Sequence, residues 1–136
     1  MKEQFTHIDE YGRKYYYSDR KMKIFHREDG PAVEDVTGYK SFLINGMRHR
    51  EDGPAVEWEN GDKEWWINNK LHREDGPAVE YTNGDKAWWI NGKRLTEEEF
   101  NARMNPVELT LEEIAEKFGV SVDKLKLEFD KLKIKV

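Results

Sequence analysis

Short apolar or alternating stretches, each cut off by a glycine or asparagine, dominate the first two thirds of the chain. Val33, Val56-Glu57-Trp58 and Val79-Glu80-Tyr81 each precede a turn at Thr37-Gly38, Asn60-Gly61 and Asn83-Gly84. An aromatic-rich stretch follows each turn: Phe42-Leu43-Ile44, Trp65-Trp66-Ile67 and Trp88-Trp89-Ile90. A second turn closes each unit at Asn45-Gly46, Asn68-Asn69 and Asn91-Gly92. Asn-Gly between apolar segments is a strong local hairpin signal, because both central residues of the tight turn need positive φ. The pattern predicts β-hairpins in series.

The hairpins are copies of one another. His-Arg-Glu-Asp-Gly-Pro-Ala stands at 26–32, 49–55 and 72–78, a period of 23 residues. Of ten glycines, eight fall in three columns of this period, so the repeat is one of backbone shape as well as side chains. Pro31, Pro54 and Pro77 open strands, where a missing N–H is tolerated. Upstream, Tyr11-Gly12-Arg13-Lys14-Tyr15-Tyr16-Tyr17 matches Asn60-Gly61-Asp62-Lys63-Glu64-Trp65-Trp66 and reads as a degenerate copy, with about three residues inserted within 18–23. The repeat region therefore runs over residues 1–94, with three clear copies from residue 26. One unit cannot bury its own apolar face, whereas stacked units can. A buried indole removes about 150–250 Å² from water, roughly 4–6 kcal/mol before entropy, so the indoles are expected to hold the stack together.

From Leu95 the period becomes helical, and residues 95–136 form a helical C-terminal segment. Thr96-Glu97-Glu98-Glu99 and Thr110-Leu111-Glu112-Glu113 are capping boxes. The first predicts a short helix through Arg103, stopped at Asn105-Pro106. Leu111, Ile114, Ala115 and Phe118 share one helical face, Gly119 fits a C-terminal cap, and Ser121 can start a further helix. Ala115, Gly119 and Leu125 have the spacing of a helix-turn-helix, at 110–128. The expected ending is a helix to about Glu128 and then an extended strand-like end, since Leu132, Ile134 and Val136 alternate. The fold class is thus mainly β, stacked antiparallel hairpins with a small α-helical C-terminal piece.

Composition narrows the classes. Charged residues make up 38% of the 136 positions and the net charge is −5. A polyelectrolyte without a core would lack the 12% aromatics and five Trp found here. No cysteine is present, so thiol catalysis and Cys-zinc sites are excluded, and a reducing compartment is suited. No apolar run approaches membrane-spanning length, and Met1–Glu10 carries no signal-peptide core. The expected location is the cytoplasm, with no membrane partner. The acidic balance makes nucleic acid an unlikely partner for the bulk of the chain.

The 23-residue period, the aromatic-x-Asn-Gly-Lys turn and the paired glycines resemble MORN repeats, over about two thirds of the chain. The closer resemblance is to a MORN-like variant carrying His-Arg-Glu-Asp-Gly-Pro-Ala, associated with small phage and bacterial proteins. It implies stacked hairpins in a twisted sheet that serves as a binding platform. It also implies, for a phage-encoded chain, action in the host cytoplasm on a host protein, such as a host enzyme or defence system.

The recurring His26, His49 and His72 with Asp29, Asp52 and Asp75 suggest a metal grid. Geometry opposes that reading. Equivalent residues of adjacent two-strand units lie roughly 10 Å apart, whereas zinc ligands each sit about 2.1 Å from the ion. The preferred reading is a structural ladder, in which Arg27, Arg50 and Arg73 pair with carboxylates and the Asp side chains brace their turns. Neither a GxGxxG pattern nor a Walker A loop occurs, so no cofactor is expected. Identical copies also lack the unlike environments that acid/base catalysis needs, and no catalytic residue is assigned.

The partner-binding candidates are Trp65, Trp66, Trp88 and Trp89, with Trp58 and Tyr81. Strand alternation would place Phe42, Trp65 and Trp88 on one face and Leu43, Trp66 and Trp89 on the other. One row would then be an exposed aromatic stripe, or be covered by the C-terminal helices or by a second chain in a homo-oligomer. The function expected is non-enzymatic protein binding. The rival is a nucleic-acid adaptor acting through 110–136, and a third reading is a bacterial scaffold or immunity-type protein. Residues 121–136 hold five Lys, but the preceding helix is acidic and its successor offers Val122 and Leu127 where polar base-reading side chains are wanted.

Overall fold

The computed structural model describes residues 4–106 and 109–132. The chain divides into two compact units, Met1–Met104 and Asn105–Val136. In the first, the degenerate copy supplies β1 (Phe5–Ile8) and β2 (Lys14–Tyr17). The first full cassette supplies β3 (Val33–Glu34), β4 (Lys40–Ser41), β5 (Leu43–Ile44) and β6 (Met47–Arg48). The second repeats this as β7 (Val56–Glu57), β8 (Lys63–Glu64), β9 (Trp66–Ile67) and β10 (Lys70–Leu71). The third gives β11 (Val79–Glu80), an uninterrupted β12 (Lys86–Ile90) and β13 (Lys93–Leu95). Helix α1 (Glu97–Met104) follows and packs on β12 and β13, so the first helix belongs with the repeat body.

One sheet of nine antiparallel strands, in the order β1-β2-β3-β4-β7-β8-β11-β12-β13, carries the first turns. Two side hairpins, β5-β6 and β9-β10, carry second turns. The aromatic strand expected in each cassette is therefore broken at Phe42 and at Trp65 and continuous only in the last copy. The break lets the two halves of each strand pair with different partners. The Phe42 N–H bonds Ala55 O at 2.7 Å, while Arg27 N–H bonds Leu43 O at 3.0 Å. Trp65 N–H to Ala78 O and Arg50 N–H to Trp66 O repeat both bonds one cassette later.

The second turns take the predicted form. Asn45 and Gly46 both have positive φ (50° and 78°), as a two-residue hairpin requires. Where the second turn lacks glycine, Asn69 adopts φ 65° in its place.

The core is thinner than the tryptophan count suggests. Ala32, Ala55, Ala78 and Val56 are fully buried, and Val33, Val79 and Ser41 nearly so. The indoles of Trp65, Trp66, Trp88 and Trp89 are only half-buried, so the expectation that buried indoles hold the stack is corrected.

Two cross-strand rows fix the register. One runs Tyr15, Val33, Ser41, Val56, Glu64, Val79, Ala87 and holds the small apolar core. The adjacent row runs Lys14, Glu34, Lys40, Glu57, Lys63, Glu80, Lys86, with opposite charges facing each other at every step. A slip by one residue would set lysines against the valines.

The second unit contains α2 (Leu111–Phe118) and α3 (Val122–Lys131). Thr110 and Glu113 form the predicted capping box on α2, and Gly119 closes it at φ 64°. Ser121 caps α3 by accepting from Lys124 N–H at 3.2 Å. The helix continues to Lys131, so the extended ending predicted after Glu128 is corrected: the helical spacing of Leu125, Phe129 and Leu132 prevails. The alternation read at Ile134 and Val136 lies outside the described residues.

Glu57→Lys places three lysines in succession on the charged row. We expect a loss of up to about 1 kcal/mol at low salt, most of it recovered in molar salt, in urea unfolding monitored by tryptophan fluorescence.

Candidate functional site

Each heptapeptide builds the same local object. Arg50 Nε donates to Asp52 Oδ1 at 2.9 Å, its terminal nitrogen donates to Pro54 O at 3.1 Å, and its Cζ lies 4.0 Å from the centroid of the Phe42 ring. Arg73 does likewise with Asp75 (2.7 Å), Pro77 O (3.1 Å) and the Trp65 ring (3.9 Å). Arg27 repeats it with Asp29 (2.9 Å), Pro31 O (3.3 Å) and the Tyr16 ring (4.0 Å). The last set places Tyr16 in the column of Phe42 and Trp65 and so supports the reading of residues 11–17 as a degenerate copy. The heptapeptide glycine has a steric reason: a Cβ on Gly53 would lie 3.0 Å from Arg50 Cζ. The guanidinium is held between ring and backbone, with cation–π attraction on one side and hydrogen bonds in its plane.

Each histidine ties the start of its cassette to that cassette's second turn. His26, His49 and His72 accept at Nδ1 from the N–H of Asn45, Asn68 and Asn91 at 3.0, 3.2 and 3.0 Å. At His49 the same nitrogen also lies 3.0 Å from Asn68 Oδ1. Nε2 faces Glu28, Glu51 and Glu74 at 3.5, 3.6 and 3.5 Å. All three sets repeat these two contacts. Among the described residues, no three His, Cys, Asp or Glu side chains gather around a point that could hold a metal ion.

The first turns are stitched in sequence by contacts that differ from copy to copy. Arg13 pairs with Asp35 at 3.0 Å, Tyr39 packs on Trp58 with centroids 5.4 Å apart, and Asp62 accepts from Thr82 N–H at 2.8 Å. Glu64 receives two indole N–H bonds, from Trp58 at 3.0 Å and Trp66 at 2.8 Å, and Arg48 lies 5.0 Å over the Trp66 ring. One cassette on, Ala87 takes the Glu64 column, and the Trp89 indole N–H is buried without a partner.

The six partner-binding candidates are thus not equivalent. Trp58 and Tyr81 are exposed, at 40% and 46%, on the first-turn edge. Trp65 and Trp66 lie beneath arginines, Trp89 is half-buried, and Trp88 borders an open pocket beside α1. Neither predicted row forms a continuous exposed stripe, because guanidinium groups cover Phe42 and Trp65 in one row and Trp66 in the other.

Between successive heptapeptides lies an open groove, and it occurs twice. One is floored by Phe42 and Ile44 between the Arg27 and Arg50 loops; the other is floored by Trp65 and Ile67 between the Arg50 and Arg73 loops. The arginines are largely covered, whereas their carboxylate partners stand out in solvent: the Asp52 and Glu51 side chains are 86% and 84% exposed. The groove rims therefore present Glu28, Asp29, Glu51, Asp52, Glu74 and Asp75 at one-cassette intervals. The arginine hydrogen bond is the main cause holding the Asp29, Asp52 and Asp75 carboxyls below their ordinary values.

Compared with known proteins, the chain matches no family model, no curated protein and no solved structure. No helix among the described residues is long and apolar enough to cross a membrane.

Two measurements test the heptapeptide. Arg50→Lys keeps the charge but loses the planar fork, and a cost of about 1–2 kcal/mol in urea unfolding is expected. Acid should also weaken the repeat body. Carboxyls held low in the folded state add stability above their unfolded value, near pH 4, and lose it as pH falls through the lower folded values. The exposure of these groups keeps each contribution small and salt-sensitive. Combined Asp29→Asn, Asp52→Asn and Asp75→Asn should flatten the urea midpoint between about pH 5 and pH 2 relative to the parent chain.

Proposed function

We propose that the chain is a non-enzymatic protein-binding module whose repeat body holds an extended, basic segment of a partner. One observation carries this: two equivalent open grooves, one cassette apart, with apolar floors and rims of exposed carboxylates. A partner strand with lysines or arginines at matching intervals would lay its apolar atoms on Phe42 and Trp65 and its charges against the rims. Trp58 and Tyr81 extend the apolar contact along the first-turn edge, in the residue types that anchor protein interfaces. The enzyme reading has no support in the His-Arg-Glu-Asp columns, whose polar atoms hold turns in three like copies. The resemblance to MORN-like phage and bacterial proteins extends the proposal to a host protein as the target, met in the host cytoplasm.

The nucleic-acid reading keeps one geometric support, the α2–Gly119–α3 pair with its three-residue connection. Its chemistry is weaker. Described residues of α3 carry Lys124, Lys126 and Lys131 against Asp123, Glu128 and Asp130, and no Arg, Asn or Gln stands there to read a base edge.

The test is capture from bacterial lysate on the immobilised chain, followed by affinity measurement with the purified partner. Glu51→Gln with Glu74→Gln should weaken binding about tenfold or more at low salt, and Trp58→Ser with Tyr81→Ser by a similar factor. Duplex DNA should not be retained at low ionic strength. Retention that falls steeply with salt would instead favour the adaptor.

A further inference from the structure

The aromatic column does not stop where the arginines stop. Tyr16, Phe42 and Trp65 each carry a guanidinium about 4 Å above the ring, and Trp88 is the fourth member of the column. Continuing the 23-residue register past the third heptapeptide puts Leu95 in the histidine column, Thr96 in the arginine column, Glu97 in the glutamate column and Glu99 in the glycine column. Backbone pairing supports this alignment: Trp88 faces Leu95 across β12–β13, as the His72 N–H bonds Trp65 O at 3.0 Å. Threonine is too short to reach over the ring. Among the described residues no cation lies over Trp88.

Open space remains in its place. A pocket is lined by Trp88, Ala87, Leu95, Thr96, Glu97 and Glu99, and Lys86 and Arg94 border it too. Glu99 is partly engaged, since one of its oxygens accepts from Thr96 N–H at 2.9 Å, and the Glu97 side chain has no hydrogen-bond or ion-pair partner among the described residues. The pocket offers the elements that hold the chain's own arginines: an aromatic face and carboxylate acceptors at its edge.

We propose that the Trp88 pocket is a receptor site for a guanidinium group, filled in function by an arginine side chain of the protein partner. The inference rests on the protein-binding reading for its biological occupant. The site's chemistry is set by this chain alone, which builds the same complex three times internally. A guanidinium fits better than an ammonium. Its plane can stack on the ring while its edge N–H groups reach carboxylates; Arg73 sets its Cζ 3.9 Å from the Trp65 centroid while its Nε donates to Asp75. The two bordering cations balance the two carboxylates, so a lone guanidinium should bind only in the millimolar range, with affinity in the cell coming from the rest of the partner segment.

The test uses the isotope-labelled full chain and reads the indole N–H resonances by NMR, with Trp88→Leu to assign the Trp88 signal. N-acetyl-arginine methylamide is the probe, and its neutral near-isostere N-acetyl-citrulline methylamide is the control. The Trp88 signal should move saturably with the arginine derivative and bind citrulline at least about fivefold more weakly. Thr96→Arg supplies a guanidinium in cis and should abolish the response. Thr96→Ser, which keeps the cap hydroxyl, should preserve it, and the spectra themselves report that both variants are folded. A still Trp88 signal, equal response to citrulline, or undiminished binding by folded Thr96→Arg would overturn the proposal. So would movement that depends on protein concentration alone, which makes the occupant a second copy. Binding of the derivative with no protein captured from lysate would leave the site standing and remove the protein-binding reading. Partner affinity untouched by Trp88→Leu would do the reverse.

Discussion

A guanidinium held about 4 Å over an aromatic ring is the contact on which this architecture depends. Strands of two residues bury little, and the fully buried side chains of the repeat body are alanines and Val56. Such a layer leaves its large rings half uncovered. Arginine supplies the cover, and it does so across the chain: Arg73 lies on Trp65, which precedes it, and donates its N–H to Trp89 O, which follows. One residue thereby joins three segments of the stack. The surrounding heptapeptide follows from that position. Aspartate two residues on fixes the fork, and glycine leaves room for it. The proline carbonyl accepts from a terminal nitrogen, and alanine turns inward to the core.

The same constraint sets the His, Arg, Glu and Asp of the motif in one repeated environment. Catalysis needs groups whose environments push their proton affinities apart. Here each histidine accepts from a turn N–H and faces a glutamate, in the same geometry three times. What repetition does produce is a surface with a pitch. The arginines are drawn in against the rings, their aspartate partners are left in water, and the net result at the rim is acidic although the motif itself is nearly balanced. Charge balance along the sequence and charge presented to a partner are different quantities, and only the burial of the arginines separates them.

Much of this was legible in one dimension. The turns were, because Asn-Gly leaves few backbone options and Asn45, Gly46, Asn91 and Gly92 all take positive φ. Both capping boxes were, since their spacing is local. The degenerate copy was readable through Tyr15-Tyr16-Tyr17, and Arg27 over Tyr16 places it. What could not be read depends on contacts between cassettes. The break at Phe42 and Trp65 arises because each half-strand pairs with a different neighbour, which regular alternation along one strand does not anticipate. The facing of Lys40 with Glu57 and of Lys63 with Glu80 needed only the columns plus a strand register. The columns were visible and the register was not.

A periodic structure held by a contact between consecutive units must be imperfect at its ends, and the two ends here are treated differently. At the start, the first ring is a tyrosine that still receives Arg27, so the contact is complete. At the finish, the chain leaves the repeat register within the fourth heptapeptide. Glutamates replace Asp and Gly, Thr96 begins a helix, and Phe100, in the column of Pro77, is buried as α1 packs against the last two strands. The helix covers the sheet where another cassette would have done so, yet it brings no cation to Trp88. The orphaned Trp89 N–H beside it has the same origin, since Ala87 stands in the column of Glu64. Both unmet contacts therefore sit in the last cassette, where the sequence stopped repeating before the geometry did. In an array whose internal copies satisfy one another, the terminal copy is the place where an unsatisfied aromatic face is open to a group from another molecule.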